Sequence, residues 1–341
     1  MIDQLTGGSE TTVFGAGGAC TPAVMSVGTA RTADMTIMEI TRHTVAEQRI
    51  EEALADGRGR AFGRWYWMRF GGVPLLQGLR GLGEELAEHV AARTVVDPDL
   101  RGADSRAALV TVAECAMGVL SLACFPKGDF EVPLPLVGET LTSEEMHHEE
   151  RWDPADPMTS ARTWTDAFAW VVISGQIGER DRVFGPLLAE DYAPAIRKGV
   201  PYAKRESVSD PADLAEMDAL CAYLTVVEGR VPGAVSGPVP LAKPNAVERA
   251  RAAARLDGAG RLSPDQRLLR VLLDDDQGAF EEALGERLVA HREGVGADPA
   301  ARSLLPLGPV TLAALARLAH GWQLGVRSAY LPEGLTGCPR E

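Results

Sequence analysis

The densest run of side chains able to do chemistry is Glu144-Glu145-Met146-His147-His148-Glu149-Glu150. Imidazole nitrogens and carboxylate oxygens are the usual ligands of divalent cations. A metal site needs its donors on one side, and adjacent side chains diverge on both helix and strand. The spacings that bring two histidines together on a helix, His-x3-His or His-Glu-x-x-His, are absent. A solvated acidic turn therefore explains the run better than a metal centre, and no metal or cofactor is expected. The segment also carries apolar side chains, Met146 and Trp152, among its charges. Glu144, Glu145, Glu149, Glu150, Trp152, Asp153 and Asp156 are accordingly the candidate partner-binding surface.

Asp274-Asp275-Asp276 is the second acidic run. Magnesium chemistry on a diphosphate needs carboxylates one helical turn apart, so that two of them reach one ion. Three consecutive aspartates point three ways. They stand just before a helix expected to start near Gln277, where a carboxylate suits the free N–H groups, so helix initiation is their expected role. An imidazole can serve as a base near neutral pH, and His291 is a candidate. No motif supplies it with a nucleophile or an orienting partner, so a packed, hydrogen-bonded histidine is expected instead. His43, His89 and His320 fall into no pattern, and glycine-rich phosphate loops, nucleophile elbows and paired cysteines are missing. No catalytic residue is assigned.

These side chains sit in a chain of 341 residues with 34 Lys+Arg against 48 Asp+Glu, a formal net charge of -14. That balance argues against a nucleic-acid or anionic-membrane binder and permits a basic protein partner. The cysteines, Cys20, Cys115, Cys124, Cys221 and Cys338, are odd in number and form no Cys-x-x-Cys pair. They fit a reducing cytoplasm and give no metal framework. Residues 1–37 are rich in Gly, Thr, Ala and Ser without an apolar period, and read as a disordered or mis-annotated tail. Residues 38–341 read as one helical domain, with a possible sub-boundary in the proline- and glycine-rich stretch 229–244.

The elements expected to position the chemistry are almost all helical. Apolar periodicity predicts helices at about 41–55, 74–93, 105–125, 161–177, 180–189, 211–228, 245–256 and 264–273. The helix at 105–125 is apolar round nearly its whole circumference, apart from Glu114. That length approaches a membrane span, but the mid-segment charge favours a central buried helix. Trp65, Tyr66, Trp67, Met68 and Phe70 are expected to anchor the core beside Gly71-Gly72. Near 128–142 the helical period fails. Phe130, Val132, Leu134 and Leu136 alternate, while Pro133 and Pro135 allow at most an edge strand. The fold class is all-α, with packed antiparallel helix pairs (a helical bundle or solenoid-like array) and this small β-like insertion.

The last of these pairs is the most informative. Phe280, Leu284, Leu288 and His291 share one helical face, and Gly294 and Gly296 end it. Leu304-Leu305-Pro306-Leu307-Gly308-Pro309 leads into an apolar helix whose first turn holds Pro309. His291 is expected to pack against that helix. Gly321, Trp322 and the tail Ser328-Ala329-Tyr330-Leu331-Pro332 follow. Together with Arg162-Thr163-Trp164-Thr165-Asp166-Ala167-Phe168 and Glu179-Arg180-Asp181-Arg182-Val183-Phe184, this order of motifs resembles the immunity protein 49 family. The resemblance covers roughly 159–332, with a looser match back to Met38. It implies an all-helical, non-enzymatic protein that neutralises a bacterial toxin by blocking it. It brings Trp164, Phe168, Phe280, Leu284, His291, Gly308, Pro309, Tyr330, Leu331 and Pro332 as motif positions. Readings from other classes are a metal-dependent helical enzyme using His147 and His148, or a helical scaffold without a toxin partner.

Overall fold

The computed structural model describes residues 37–143, 159–179, 183–199, 207–224 and 241–337. The acidic run 144–156, the tail 1–36 and most of the stretch 229–244 lie outside the described residues. Strand β1 (Met38–Ile40) leads into α1 (Glu47–Leu54), α2 (Gly57–Phe70), α3 (Leu75–Val96) and α4 (Ala103–Cys124). A hairpin of β2 (Glu131–Leu134) and β3 (Glu139–Thr142) follows, then α5 (Ala161–Ile173). Helix α6 (184–197) is α-helical at Phe184–Pro186, π-helical at Leu187–Tyr192 and α-helical again at Ala193–Arg197. The remaining elements are α7 (Pro211–Cys221), α8 (Ala246–Gly258), α9 (Pro264–Leu273), α10 (Gln277–Glu293), α11 (Leu307–Leu318), β4 (Val326–Ser328) and α12 (Glu333–Thr336).

The molecule is built on the antiparallel pair α3 and α4. Small residues let the two backbones approach: a Cβ on Gly83 would meet Cys115 Cβ at 3.4 Å. One on Gly118 would lie 2.9 Å from both Leu79 Cδ1 and Val132 Cγ2. The glycines of α3 therefore do not interrupt it. They open the groove into which α4 fits, and packing outweighs their propensity cost of about 1 kcal/mol each. Helix α4 is the expected central helix: its most apolar window is 83% buried, and Glu114 inside it accepts a hydrogen bond from Gln176 Nε2 at 2.8 Å. It is also long and apolar enough to cross a membrane by length and composition.

The β-like insertion is a hairpin, with Val132 opposite Leu141 and Pro133 opposite Thr140. Val132, Leu134 and Leu141 seal one end of α4. A second pairing was not foreseen. β1 runs parallel to β4, Met38 beside Val326 and Ile40 beside Ser328, tying the start of the described chain to its end.

Several helix starts follow from their caps. Asn245 and Glu248 form a reciprocal capping box at α8, and Ser263 and Gln266 form another at α9. Asp276 accepts from Ala279 N and opens α10, which is the role expected of the aspartate run. Two expectations fail at the N-terminal end. α1 begins at Glu47 instead of near Thr41, because residues 41–46 run on irregularly from β1. The cluster at 65–70 anchors the core only through Met68, which is buried, and Trp65, which is half-buried against it, while Phe62, Tyr66, Trp67 and Phe70 are exposed. Arg64 and Arg69 stand among these rings and Arg58 and Arg60 just before them, and burying the face would strand guanidinium charges.

Candidate functional site

The motif residues converge on one cleft. Helices α3, α4, α5 and α10 and the turn leading into α11 enclose a cavity of about 580 Å³. Arg162, Asp166, His291, Arg302, Leu307 and Gly308 all line it, although they come from three separated stretches of sequence. Its floor is apolar, with Leu79, Val112 and Trp170. Its rim is charged with both signs.

Four of those charges pair within the cleft, Arg287 with Asp265 and Arg162 with Asp166. Arg287 Nε donates to Asp265 Oδ1 at 2.6 Å. That carboxylate explains Gly308, where an added Cβ would lie 2.3 Å from Asp265 Oδ2. Gly308→Ala is thus expected to push Asp265 off Arg287 and cost about 1–3 kcal/mol in a denaturant titration, while an unchanged midpoint would refute that packing argument. On the opposite wall Arg162 pairs with Asp166 at 2.7 Å and, more loosely, with Glu216 at 3.5 Å. Gln266 Nε2 bridges Glu216 Oε2 at 3.0 Å and Asp213 Oδ1 at 2.9 Å. Burial pushes the Glu216 carboxyl up to about 7, against the pull of the Arg162 cation. Arg302 lies over the Trp170 ring at 5.1 Å and donates to Leu305 O at 2.7 Å. Burial pulls its pKa down, with Asp166 and Glu88 opposing.

Among the described residues the cleft's only lining hydroxyl, on Thr163, accepts from Ser160 N at the start of α5. Its ionic groups position helices, and it offers no nucleophile held by a base. Among the described residues no three His, Cys, Asp or Glu side chains gather as a metal-holding group.

His291 closes one end of the cleft and belongs to a cluster. Its Nε2 lies 2.8 Å from Ser303 O, and its ring meets Tyr330 edge-on at 5.3 Å. It is half-buried and bonds to the turn Ala301–Leu304 ahead of α11, where packing on α11 itself was expected. His43 completes the group: Nδ1 is 2.5 Å from Tyr330 Oη and Nε2 is 2.8 Å from Ser303 Oγ. A contact across 287 positions left no trace in the local sequence pattern. His320 was missed likewise. It is bonded through Nδ1 to Asp275 at 2.8 Å and through Nε2 to the Tyr223 hydroxyl at 2.9 Å. Lys243 and Arg249 each reach the same carboxylate at 3.0 Å. A carboxylate–imidazole–hydroxyl chain can in principle move a proton, but here the histidine side chain is 0% exposed and Tyr223 is buried. The chain staples α8 and residue 243 to the end of α11. Asp275 adopts φ 63° to reach it, between Asp274 on Arg270 and Asp276 on the cap of α10.

Of the other motif positions, Trp164, Phe168, Phe280, Leu284 and Tyr330 are fully buried, and Leu331 and Pro332 are buried beside them. Pro309 stands in the first turn of α11, as expected. The acidic candidates Glu144 to Asp156 lie outside the described residues.

Burial lowers the pKa of His43, His89 and His320 below 6.5, with His291 and Arg42 adding to the effect at His43. The unfolded chain then binds protons at pH values where the folded chain does not. Stability is lost as pH falls from about 6.5 through the lowered values. Glu216 acts in the opposite sense: folded, it protonates near 7, so it adds stability as pH falls toward its unfolded value of 4.5. The two effects oppose, and Glu216→Gln separates them: the melting temperature of the variant should drop relative to wild type as pH falls from about 7 toward 4.5. A wild-type advantage that does not grow as pH falls contradicts the Glu216 assignment.

A family model described as immunity protein 49 matches residues 97–335. The match starts in the turn between α3 and α4, upstream of the sequence motifs, and runs to α12 without reaching β1 to α3. No curated protein and no solved structure gives a match.

Proposed function

The chain belongs to the immunity protein 49 family, and on that premise we propose that it binds and neutralises a bacterial toxin domain by covering it, with no chemistry of its own. The observation that carries this reading is the family match across 97–335, which spans every helix lining the cleft except α3. The geometry supports it, because the motif residues inside that span are committed to holding the fold. Arg162, Arg287, Asp265 and Gly308 interlock helices, and His291 and Tyr330 fasten the tail. In this reading the scaffold is the family's common part, and partner choice lies in the exposed side chains it carries.

The proposed partner is the toxin of a polymorphic toxin system, met in the cytoplasm. Nucleic acid and membrane are not proposed as partners. The test is co-expression: cells carrying the toxin domain encoded beside this gene should grow only when the chain is also made. Death despite soluble, folded chain at equal or greater amount would sink the proposal.

A further inference from the structure

We propose that the cleft is a binding site for a small zwitterion with an apolar side chain, of the amino-acid or dipeptide kind, whose carboxylate meets Arg302 and whose ammonium meets Glu88. This goes beyond the toxin reading and does not depend on it. The cleft's volume of about 580 Å³ lies within the range of about 300–1,000 Å³ usual for small-molecule sites. Leu79, Val112 and Trp170 give it a floor that can take an apolar side chain.

Two charges stay open beside the cleft's ion pairs. The first is Arg302, half-buried in the turn Ala301–Leu304. It lies over Trp170 and its Nη1 is bonded to Leu305 O, but among the described residues no carboxylate pairs with it. Its Nε and Nη2 make no hydrogen bond there, and neither is sealed from solvent. Those two nitrogens form one edge of the guanidinium, the fork that matches a carboxylate with two parallel N–H groups. Stacking on Trp170 fixes the plane of that fork in advance, so little freedom is lost when a carboxylate arrives.

Glu88 is the second open charge. It is half-buried on α3, the helix against which that turn packs, and it has no hydrogen bond or ion pair among the described residues. Arg49, a cation that senses Glu88, is bonded to Asp298. Glu88 and Asp166 line the same space as Arg302 and favour its charged form without pairing with it. Arg80 and Glu84, also in the cleft, stand one turn apart on α3 and can reach each other by a change of rotamer. The lining sets four arginines against four carboxylates. That balance disfavours a lone anion or a lone cation and suits a ligand that carries both.

The test is an NMR titration of the full chain with phenylalanine and with leucyl-phenylalanine. Each is run beside its N-acetyl form, which keeps only the carboxylate, and its amide, which keeps only the ammonium. At least one zwitterion should bind at millimolar concentration, with its N-acetyl form and its amide each weaker by about 10-fold or more. In Arg302→Gln the zwitterion should fall to the affinity of the amide, because the carboxylate has lost its partner. In Glu88→Gln it should fall to that of the N-acetyl form. Glu88→Gln alters a side chain that makes no bond and should leave the melting temperature within a few degrees, so it decides alone if Arg302→Gln does not fold. No binding by either zwitterion, blocked forms that bind equally well, or a folded variant that keeps the wild-type preference would each overturn the proposal. None of these outcomes touches toxin neutralisation, which the co-expression experiment tests separately.

Discussion

Trp164→Ala is expected to destabilise the protein by roughly 3–5 kcal/mol, read as a shift in the denaturant midpoint. The side chain is fully buried, stacked on Phe168 at 5.3 Å with the rings 11° from parallel. Its Nε1 donates to Leu188 O at 2.9 Å. Leu188 lies in the π-helical turn of α6, where its carbonyl also accepts from Ala193 N. The indole therefore joins α5 to the one irregular turn of α6. Truncation would leave a void facing α6 and remove one partner of that carbonyl. Trp164→Phe keeps most of the volume and should recover more than half of the loss. Equal loss in both variants would mean that the hydrogen bond, and not the packing, carries the contribution.

Tyr330→Ala should be nearly as costly, at about 3–4 kcal/mol. The ring is fully buried, and its hydroxyl accepts the His43 N–H at 3.1 Å while meeting His43 Nδ1. It also packs edge-on against His291. Removing it opens a cavity and strands two polar groups of His43 beside the β1–β4 pairing. Tyr330→Phe removes only the hydroxyl and should cost about 1–2 kcal/mol. Hydrogen exchange at Met38–Ile40 should accelerate in both variants if the cluster holds β1 in place. Unchanged protection there would separate the cluster from the strand pairing.

Most helices were legible because their signals are local, whereas α2, which carries four glycines in or next to it and no apolar period, was not foreseen as a helix. The capping boxes at Asn245 and Ser263 and the glycine after Glu293 mark boundaries within a few residues of where they occur. The face built by Phe280, Leu284 and Leu288 follows from spacing alone. The shape of the site was not legible, because the cleft joins Arg162, Asp265, Arg287 and Gly308 across more than a hundred positions. The sequence motifs were visible one by one, and nothing local shows that Gly308 is a glycine to make room for Asp265. The parallel pairing of β1 with β4 and the histidine networks at Tyr330 and Tyr223 are likewise long-range.

The aromatic cluster of α2 was misread for a different reason. Its ring content suggested burial, yet Arg64 and Arg69 stand among the rings, with Arg58 and Arg60 just upstream, and could have signalled a surface. Aromatic content alone does not decide burial. The charges between the rings do.

The central claim is that the chain neutralises a toxin by occupying it. It is tested most directly by titrating purified chain into a fixed amount of the cognate toxin domain and measuring residual toxin activity. The account predicts inhibition complete at one chain per toxin and reversed on dilution, with both proteins recovered chemically unchanged. Inactivation by far less than one chain per toxin, or a toxin left covalently altered, would contradict it and make the protein an enzyme.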